Sequence, residues 1–495
     1  MTAKKRPARR TTRRSARSPR KPRTLPVSLA TVRHLDQPPT FEKPKRIHPR
    51  RKKPLVVEGE ESERHSDSFP AMLLAPSAHA LSPVRILRNV ELDGPRANRT
   101  ASNVGEPSVA QSGDTILYTG NWYAAASLDS GATFKYIDPA KAFRAFDPPG
   151  RSFCCDQVAS YIPQIDTFVW LLQYGPDQDN LQRLAFATTE NVARRKWRLF
   201  DITTRTLGVP GAFLDFPDLA VGAHALYVTT NVFLGHEAGS AVVRIPLEGI
   251  AAGEPVPERF LDMSHFSFRV AQSCGSTAFF AAHQNTSHLR VFSWKENESQ
   301  PTSVSVPVAR YIDGDGFQSR TPDGRRWLDR ADPRITGATL AKGELYFAWG
   351  VNRGSNRRPK PFVQIARIDA ASMSLIENID LFDPDSAICY AALATNRRDE
   401  VGIAYMIGGG PRFPTHVVGI LGAHREHLVT AESDRGPLPD PDSHAGEWGD
   451  YLTVRRCHPQ EDRFIASGYT MQGAGDGSNR DCTPRFVVFG RSPAG

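Results

Sequence analysis

Charged side chains, most of them acidic, recur at the openings of a series of short runs of small and β-branched residues. Glu106 precedes SVAQ, Asp156 precedes QVASY, Asp215 and Asp218 stand at DFPDLAV, and Arg269 stands in FRVAQS. Asp332 with Arg334 opens ADPRITGA, and Asp450 opens DYLTV. Carboxylates brought close together push at least one pKa upward, which is what a general acid beside a general base requires. Asp156, Asp215 and Asp332 are therefore the candidate acid/base residues, with Arg269 placed to hold an anionic group. Glu106 and Asp450 are candidate ligand contacts. The same acids could instead bind Ca²⁺ through oxygen, or cap backbone N–H groups at strand ends.

A second set of positions lies at the ends of the runs that follow. It holds Asn121 and Trp122, Gln173 and Tyr174, Asn231, His283 and Gln284, Trp349 and Asn352, Tyr405, and Tyr469 with Gln472. Amides offer donor and acceptor together to neighbouring hydroxyls, and Trp or Tyr offers a flat face to the apolar side of a sugar. The mixture favours a carbohydrate or other small polar ligand, unless Trp349 and Tyr405 serve only to pack neighbouring sheets. His265, His283 and His444 fall near the same positions, and His283 is the candidate catalytic histidine. No HExxH or paired CxxC spacing accompanies them, so no metal is expected and Ca²⁺ has no motif behind it.

These positions matter only if the chain brings them together. Seven pairs of runs can be read by eye, from EPSVAQ with TILYTGNW at Glu106 to GDYLTV with RFIASGYT at Gly449, spaced roughly 50 to 65 residues apart. Short β-branched and aromatic runs cut by Gly, Pro, Asn and Asp are the pattern of an all-β fold. A seven-bladed β-propeller, with six blades as the alternative, accounts for weak repeats within one domain of about 400 residues. Its inner strands line one central channel, so equivalent repeat positions converge. The last repeat is one strand short, and VRILRNVEL, Val84 to Leu92, is expected to supply the missing outer strand and close the ring.

SLDSGATF, Ser127 to Phe134, resembles the Asp-box (BNR repeat), S-x-D-x-G-x-T-[WF], of sialidase-like β-propellers. Asp129 is placed to accept backbone hydrogen bonds inside a tight turn, Gly131 to take an unusual φ, and Phe134 to pack back against the sheet. The resemblance implies a fold extending from about Val84 to Arg491, with the box on the rim and away from any active site. It also implies a glycosidase of the sialidase superfamily or a related carbohydrate-active enzyme. Catalytic members carry a FRIP-like motif, an arginine triad and a tyrosine paired with an acid. This chain has no FRIP; Arg269, Arg334 and Arg485 could imitate the triad and Tyr451 or Tyr469 the nucleophile.

Net charge divides the chain in two. Of its 495 residues, Met1 to Lys53 hold 19 Lys and Arg against 2 Asp and Glu, a surplus of 17, while the rest hold 43 against 51, a deficit of 8. Residues 1–80 are rich in Arg, Lys, Pro, Ser and Thr and are expected to be a disordered tail, able at most to bind a polyanion weakly through residues 1–53. No run is long and apolar enough to span a membrane, and no apolar stretch follows the basic start as in a secretory signal. The cytoplasm is the default compartment, a monomer the expected state, and reduced thiols the expectation for all six cysteines. Adjacent Cys154 and Cys155 could alternatively join in a small ring, and Cys457 could meet Cys482. Two functions remain open: a glycan-directed site on the channel face, that of a glycoside hydrolase or other carbohydrate-active enzyme, or a non-catalytic binding module tethered to a polyanion by its tail.

Overall fold

The computed structural model describes residues 82–92, 101–102, 104–175, 178–312, 317–422, 427–439, 446, 448–472 and 482–491, together with the backbone of Thr24–Pro26. Apart from that segment, the expected disordered tail lies outside the described residues, as does His444.

Seven antiparallel sheets follow one another along the chain, numbered here as blades 1 to 7. Their inner strands are Ser108–Ser112, Ser152–Ile162, Phe213–Val221, Arg269–Val270, Ile335–Ala341, Ala387–Thr395 and Val454–Arg456. Each inner strand touches the next, and the seventh touches the first, so the sheets form a closed ring. The fold is an all-β, seven-bladed propeller, and the six-bladed alternative falls. In blade 7 the outer strand is Val84–Glu91, paired with Cys482–Arg491 so that Val84 lies opposite Arg491 and Glu91 opposite Arg485. A strand from before the first blade thus completes the last. The edge of blade 2 carries a short fifth strand, Thr24–Pro26, antiparallel to Lys196–Arg198.

The packing explains why middle strands read as unbroken apolar runs. Each blade is covered on both faces, so both sets of alternating side chains are buried. Thr167–Gly175 is buried throughout: Phe168, Trp170 and Leu172 pack toward blade 1, while Val169 and Leu171 pack toward blade 3. Among the described residues there is one apolar cluster for each of the seven interfaces between neighbouring blades. Near the axis the strands crowd, and Ala110, Ala159, Ala220, Ala271, Ala338 and Ala394 are all buried there in or beside the inner strands.

The SLDSGATF turn joins Tyr123–Ser127 to Lys135–Ile137 in blade 1. Asp129 Oδ1 accepts from Thr133 N at 2.9 Å and Ser127 Oγ receives Gly131 N at 2.8 Å. Gly131 has φ +84°, where a side chain would be strained. Phe134 meets Phe486 of blade 7 edge to face at 6.4 Å. Hydrogen bonds from Thr133 above all hold the Asp129 carboxyl down at about 2. Among the described residues, no helix is long and apolar enough to cross a membrane.

Candidate functional site

Inner strands begin at one mouth of the channel, and there four of them are irregular. The pairing of the first with the second strand slips between Phe153 and Gln157, Asp215 and Asp218, Ile335 and Gly337, and Cys389 and Ala392. Such bulges re-aim side chains that a regular strand would send into the blade. Asp156, Phe216, Thr336 and Tyr390 are the residues released. Glu106, Phe216 and Tyr390 also have positive φ, at 43°, 52° and 59°. This conformation is costly for bulky residues and clusters at functional sites.

Phe216, Thr336 and Tyr390, with the loops ahead of blades 5 and 7, line a narrow pocket at this mouth. Its wall includes Phe216, Arg330, Asp332, Arg334, Tyr390 and Asp450. Arg330 donates Nε to Asp450 Oδ1 at 2.9 Å and Nη2 to Asp450 Oδ2 at 2.7 Å. The same Nη2 lies 3.9 Å from Glu106 Oε1. Arg334 donates Nε to Asp332 Oδ2 at 2.6 Å and its backbone N–H to Oδ1 at 2.9 Å. Its guanidinium covers the Phe216 ring at 4.5 Å, and Arg269 approaches the same ring at 5.3 Å. Asp332 is the most open of these carboxylates, its side chain 37% exposed against 12% for Asp450.

Behind Arg330, Glu106 and Asp156 form a hydrogen-bonded carboxyl pair. Burial, then the fields of Asp156 and Asp450, raise the Glu106 pKa well above 4.5, with Arg330 opposing. The pair therefore holds a proton above the usual carboxyl range, because two adjoining buried carboxylates resist ionising together. Burial alone would lower the Arg334 pKa; Asp332 reverses this and the net shift is upward. Tyr451, whose hydroxyl donates to Gln157 O at 3.3 Å, is raised well above 10 by burial and then by Asp156 and Glu106, so it stays a phenol.

Other candidates sit elsewhere. Asp215 accepts from Gln173 Nε2 at 3.0 Å, and Gln173 in turn accepts from Gln182 at 3.3 Å. Asn231 pairs across the strand with Asp215 and takes the Ser240 hydroxyl at 3.3 Å. Arg269 is tied to Asp218 at 2.5 Å and to Ile335 O at 3.2 Å, deeper in the channel. His283 is wedged edge-on against Tyr311 and Trp349 at 5.1 and 5.2 Å, and burial holds its pKa at about 4. Trp349 itself is fully buried between blades 4 and 5 and offers no face to a ligand.

Several leaving positions serve the fold. Asn121 donates to Val104 O at 2.7 Å, Trp122 packs against the cluster between blades 1 and 2, and Tyr174 lies under Arg183 at 4.7 Å. Gln284 is half-buried, and Asn352 caps Arg353 N at 2.9 Å. Tyr469 stacks on Trp448 at 4.7 Å and receives Gly449 N at 2.9 Å, so it holds the loop carrying Asp450 without lining the cavity. The sugar-facing aromatic set expected from the sequence is thus largely interblade packing. Arg485 bonds Gln472 at 2.7 Å and pairs with Glu91 on the outer side of blade 7, away from any triad. The sequence reading passed over Arg330, Phe216 and Tyr390; the only signal was the doubled arginine of DRADPR around Asp332.

One cysteine expectation changes: Cys154 and Cys155 are joined in a disulfide, at the bulge just before Asp156. Cys457 and Cys482 are buried and not joined to each other, in line with the reduced state. Among the described residues, no group of three His, Cys, Asp or Glu side chains is arranged to hold a metal ion.

No family model matches the chain, and no curated protein matches it. Solved structures do, at low identity. A protein of unknown function from Dyadobacter fermentans aligns over 83% of this chain and 100% of its own, at 10% identity and a TM-score of 0.38. Trypanosoma rangeli sialidase, in complex with the inhibitor DANA, aligns over 76% of this chain and 66% of its own, at 10% identity and a TM-score of 0.39. A subtype N10 neuraminidase-like protein of influenza A/little yellow-shouldered bat/Guatemala/060/2010 aligns over 65% and 96%, at 9% identity and a TM-score of 0.38. The architecture, a seven-bladed β-propeller, is read from the chain's own closed ring of sheets. The alignments are too loose to carry any argument about activity.

Proposed function

We propose that the mouth where the inner strands begin is a carbohydrate-directed site that takes one small sugar unit bearing a carboxylate. The observation that supports this most is the convergence of Arg330 and Arg334 on one cavity, with the proton-holding Glu106–Asp156 pair directly behind. The arginines suit a planar anionic group, and the Phe216 face suits the apolar side of a ring.

Within that reading, the Glu106–Asp156 pair is the proton donor, since a carboxyl whose pKa is raised by burial and a neighbouring acid keeps a proton it can pass to a leaving oxygen. The pair cannot by itself supply both carboxylates of a glycosidase, which stand about 5 to 9.5 Å apart. Asp332, the more open acid on the wall, is the partner that remains. Asp215 and His283 are held by their own neighbours, and Arg269 acts through Phe216 and Asp218.

Binding without turnover is the second reading, favoured by the fact that Asp332 and Asp450 are each already engaged by an arginine. Turnover of a panel of neutral, amino and acidic glycosides, before and after Asp156→Asn, separates the two. Hydrolysis of an acidic glycoside that falls about tenfold or more in the variant supports catalysis. Activity unchanged by the variant removes Asp156 from the mechanism, and binding with no turnover selects the second reading.

A further inference from the structure

The channel has a second mouth, where the inner strands end, and its cavity of about 210 Å³ is the larger of the two. At its inner end stands Arg455, which reaches Asp218 Oδ1 through Nη2 at 3.4 Å. Its Nε is buried with no hydrogen-bond partner. Asp218 is meanwhile held by Arg269 Nη1 at 2.5 Å, and Arg269 Nη2 is likewise buried and unpartnered. One carboxylate serves two guanidinium groups.

The rim adds a third cation. Arg456 reaches across the opening, donating to Thr395 O of blade 6 at 3.0 Å and to Ser273 Oγ of blade 4 at 3.4 Å. It lies 3.5 Å from Glu461. Arg269 and Arg455 thus share the one carboxylate of Asp218, while Arg456 pairs with Glu461. A buried guanidinium without a full counter-charge is costly unless something supplies the missing acceptor. Around it, among apolar residues, the wall carries the amides of Gln164 and Gln272, the Ser160 hydroxyl and the rings of Tyr161 and His458.

We propose that this exit mouth is a second ligand site, taking a small oxyanion carried on a hydroxylated skeleton, with the charge received by Arg455. Amides and hydroxyls bond the carrier's hydroxyl groups, and the oxyanion supplies the acceptor that Asp218 divides between two arginines. Phosphate and carboxylate share this chemistry, and the probes distinguish them.

The test is calorimetric titration of the full chain with glycerol 3-phosphate, gluconate and neutral sorbitol. At least one anionic probe binds saturably and sorbitol does not; Arg455→Gln weakens that binding about tenfold or more. Because Arg455 is part of a buried charge cluster, Ala223→Trp at the half-exposed rim is the second variant: it fills the mouth and abolishes binding with the cluster intact. Binding of sorbitol as strong as that of the anions, binding that survives Ala223→Trp, or no binding by any probe overturns the proposal.

Discussion

Arg330 grips Asp450 through two parallel N–H···O bonds of 2.9 and 2.7 Å, one residue from the loop that opens blade 5 and the other from the loop that opens blade 7. The pair spans the channel mouth and is mostly withdrawn from water, with side chains 17% and 12% exposed. Asp450→Asn keeps the shape and removes the charge. Breaking a buried pair on one side leaves the other ion uncompensated, so a loss of about 2 to 4 kcal/mol in denaturant unfolding is expected. A loss under about 0.5 kcal/mol, the range of exposed pairs, would mean that water already screens the bond.

The Glu106–Asp156 pair makes stability depend on pH with a definite sign. An acid whose pKa is raised on folding contributes stability fully below its ordinary 4.5, and that contribution is lost as pH rises through the raised value. Glu106→Gln is neutral at every pH. Its melting temperature relative to the wild-type chain should therefore climb as pH goes from 4.5 upward, then level off. A difference that stays flat from pH 4 to 8 contradicts the shared proton.

Thiol chemistry checks the bulge beside Asp156. With Cys154 and Cys155 joined and Cys274, Cys389, Cys457 and Cys482 free, denatured chain should titrate four thiols before reduction and six after. Six before reduction would restore the reduced state expected from the sequence.

The propeller was legible because its signal is repetitive. Seven weak strand pairs, each insufficient alone, recur in the same order, and a final blade lacking a strand pointed to Val84–Leu92 as the segment that pairs with Cys482–Arg491. The site was legible only in part. Glu106, Asp156, Asp332 and Asp450 sit at strand openings, where the repeat makes equivalent positions converge. Phe216 and Tyr390 enter the mouth through bulges and positive φ, and Arg330 through an irregular loop, none of which leaves a period in the sequence. Trp349 and Tyr469 misled for the converse reason: an aromatic at a strand end packs a blade interface as readily as it faces a ligand.

The basic segment 1–53 carries a surplus of 17 positive charges and forms a separate proposal. Deleting it should remove the salt-dependent part of binding to a polyanion such as heparin, and should lower the melting temperature of the propeller only slightly, through loss of the short Thr24–Pro26 edge strand of blade 2. Retention of the same salt dependence after deletion would place polyanion binding elsewhere.

The central claim is that the mouth where the inner strands begin receives an acidic sugar between Arg330, Arg334 and Phe216. Calorimetric titration of the full chain with free glucuronic and sialic acids, repeated on Arg334→Gln and on Ala223→Trp, tests it most directly. Saturable binding of at least one acid, weakened about tenfold by Arg334→Gln and untouched by Ala223→Trp, is the predicted result. No binding of either acid, or binding lost only when the opposite mouth is filled, would contradict it.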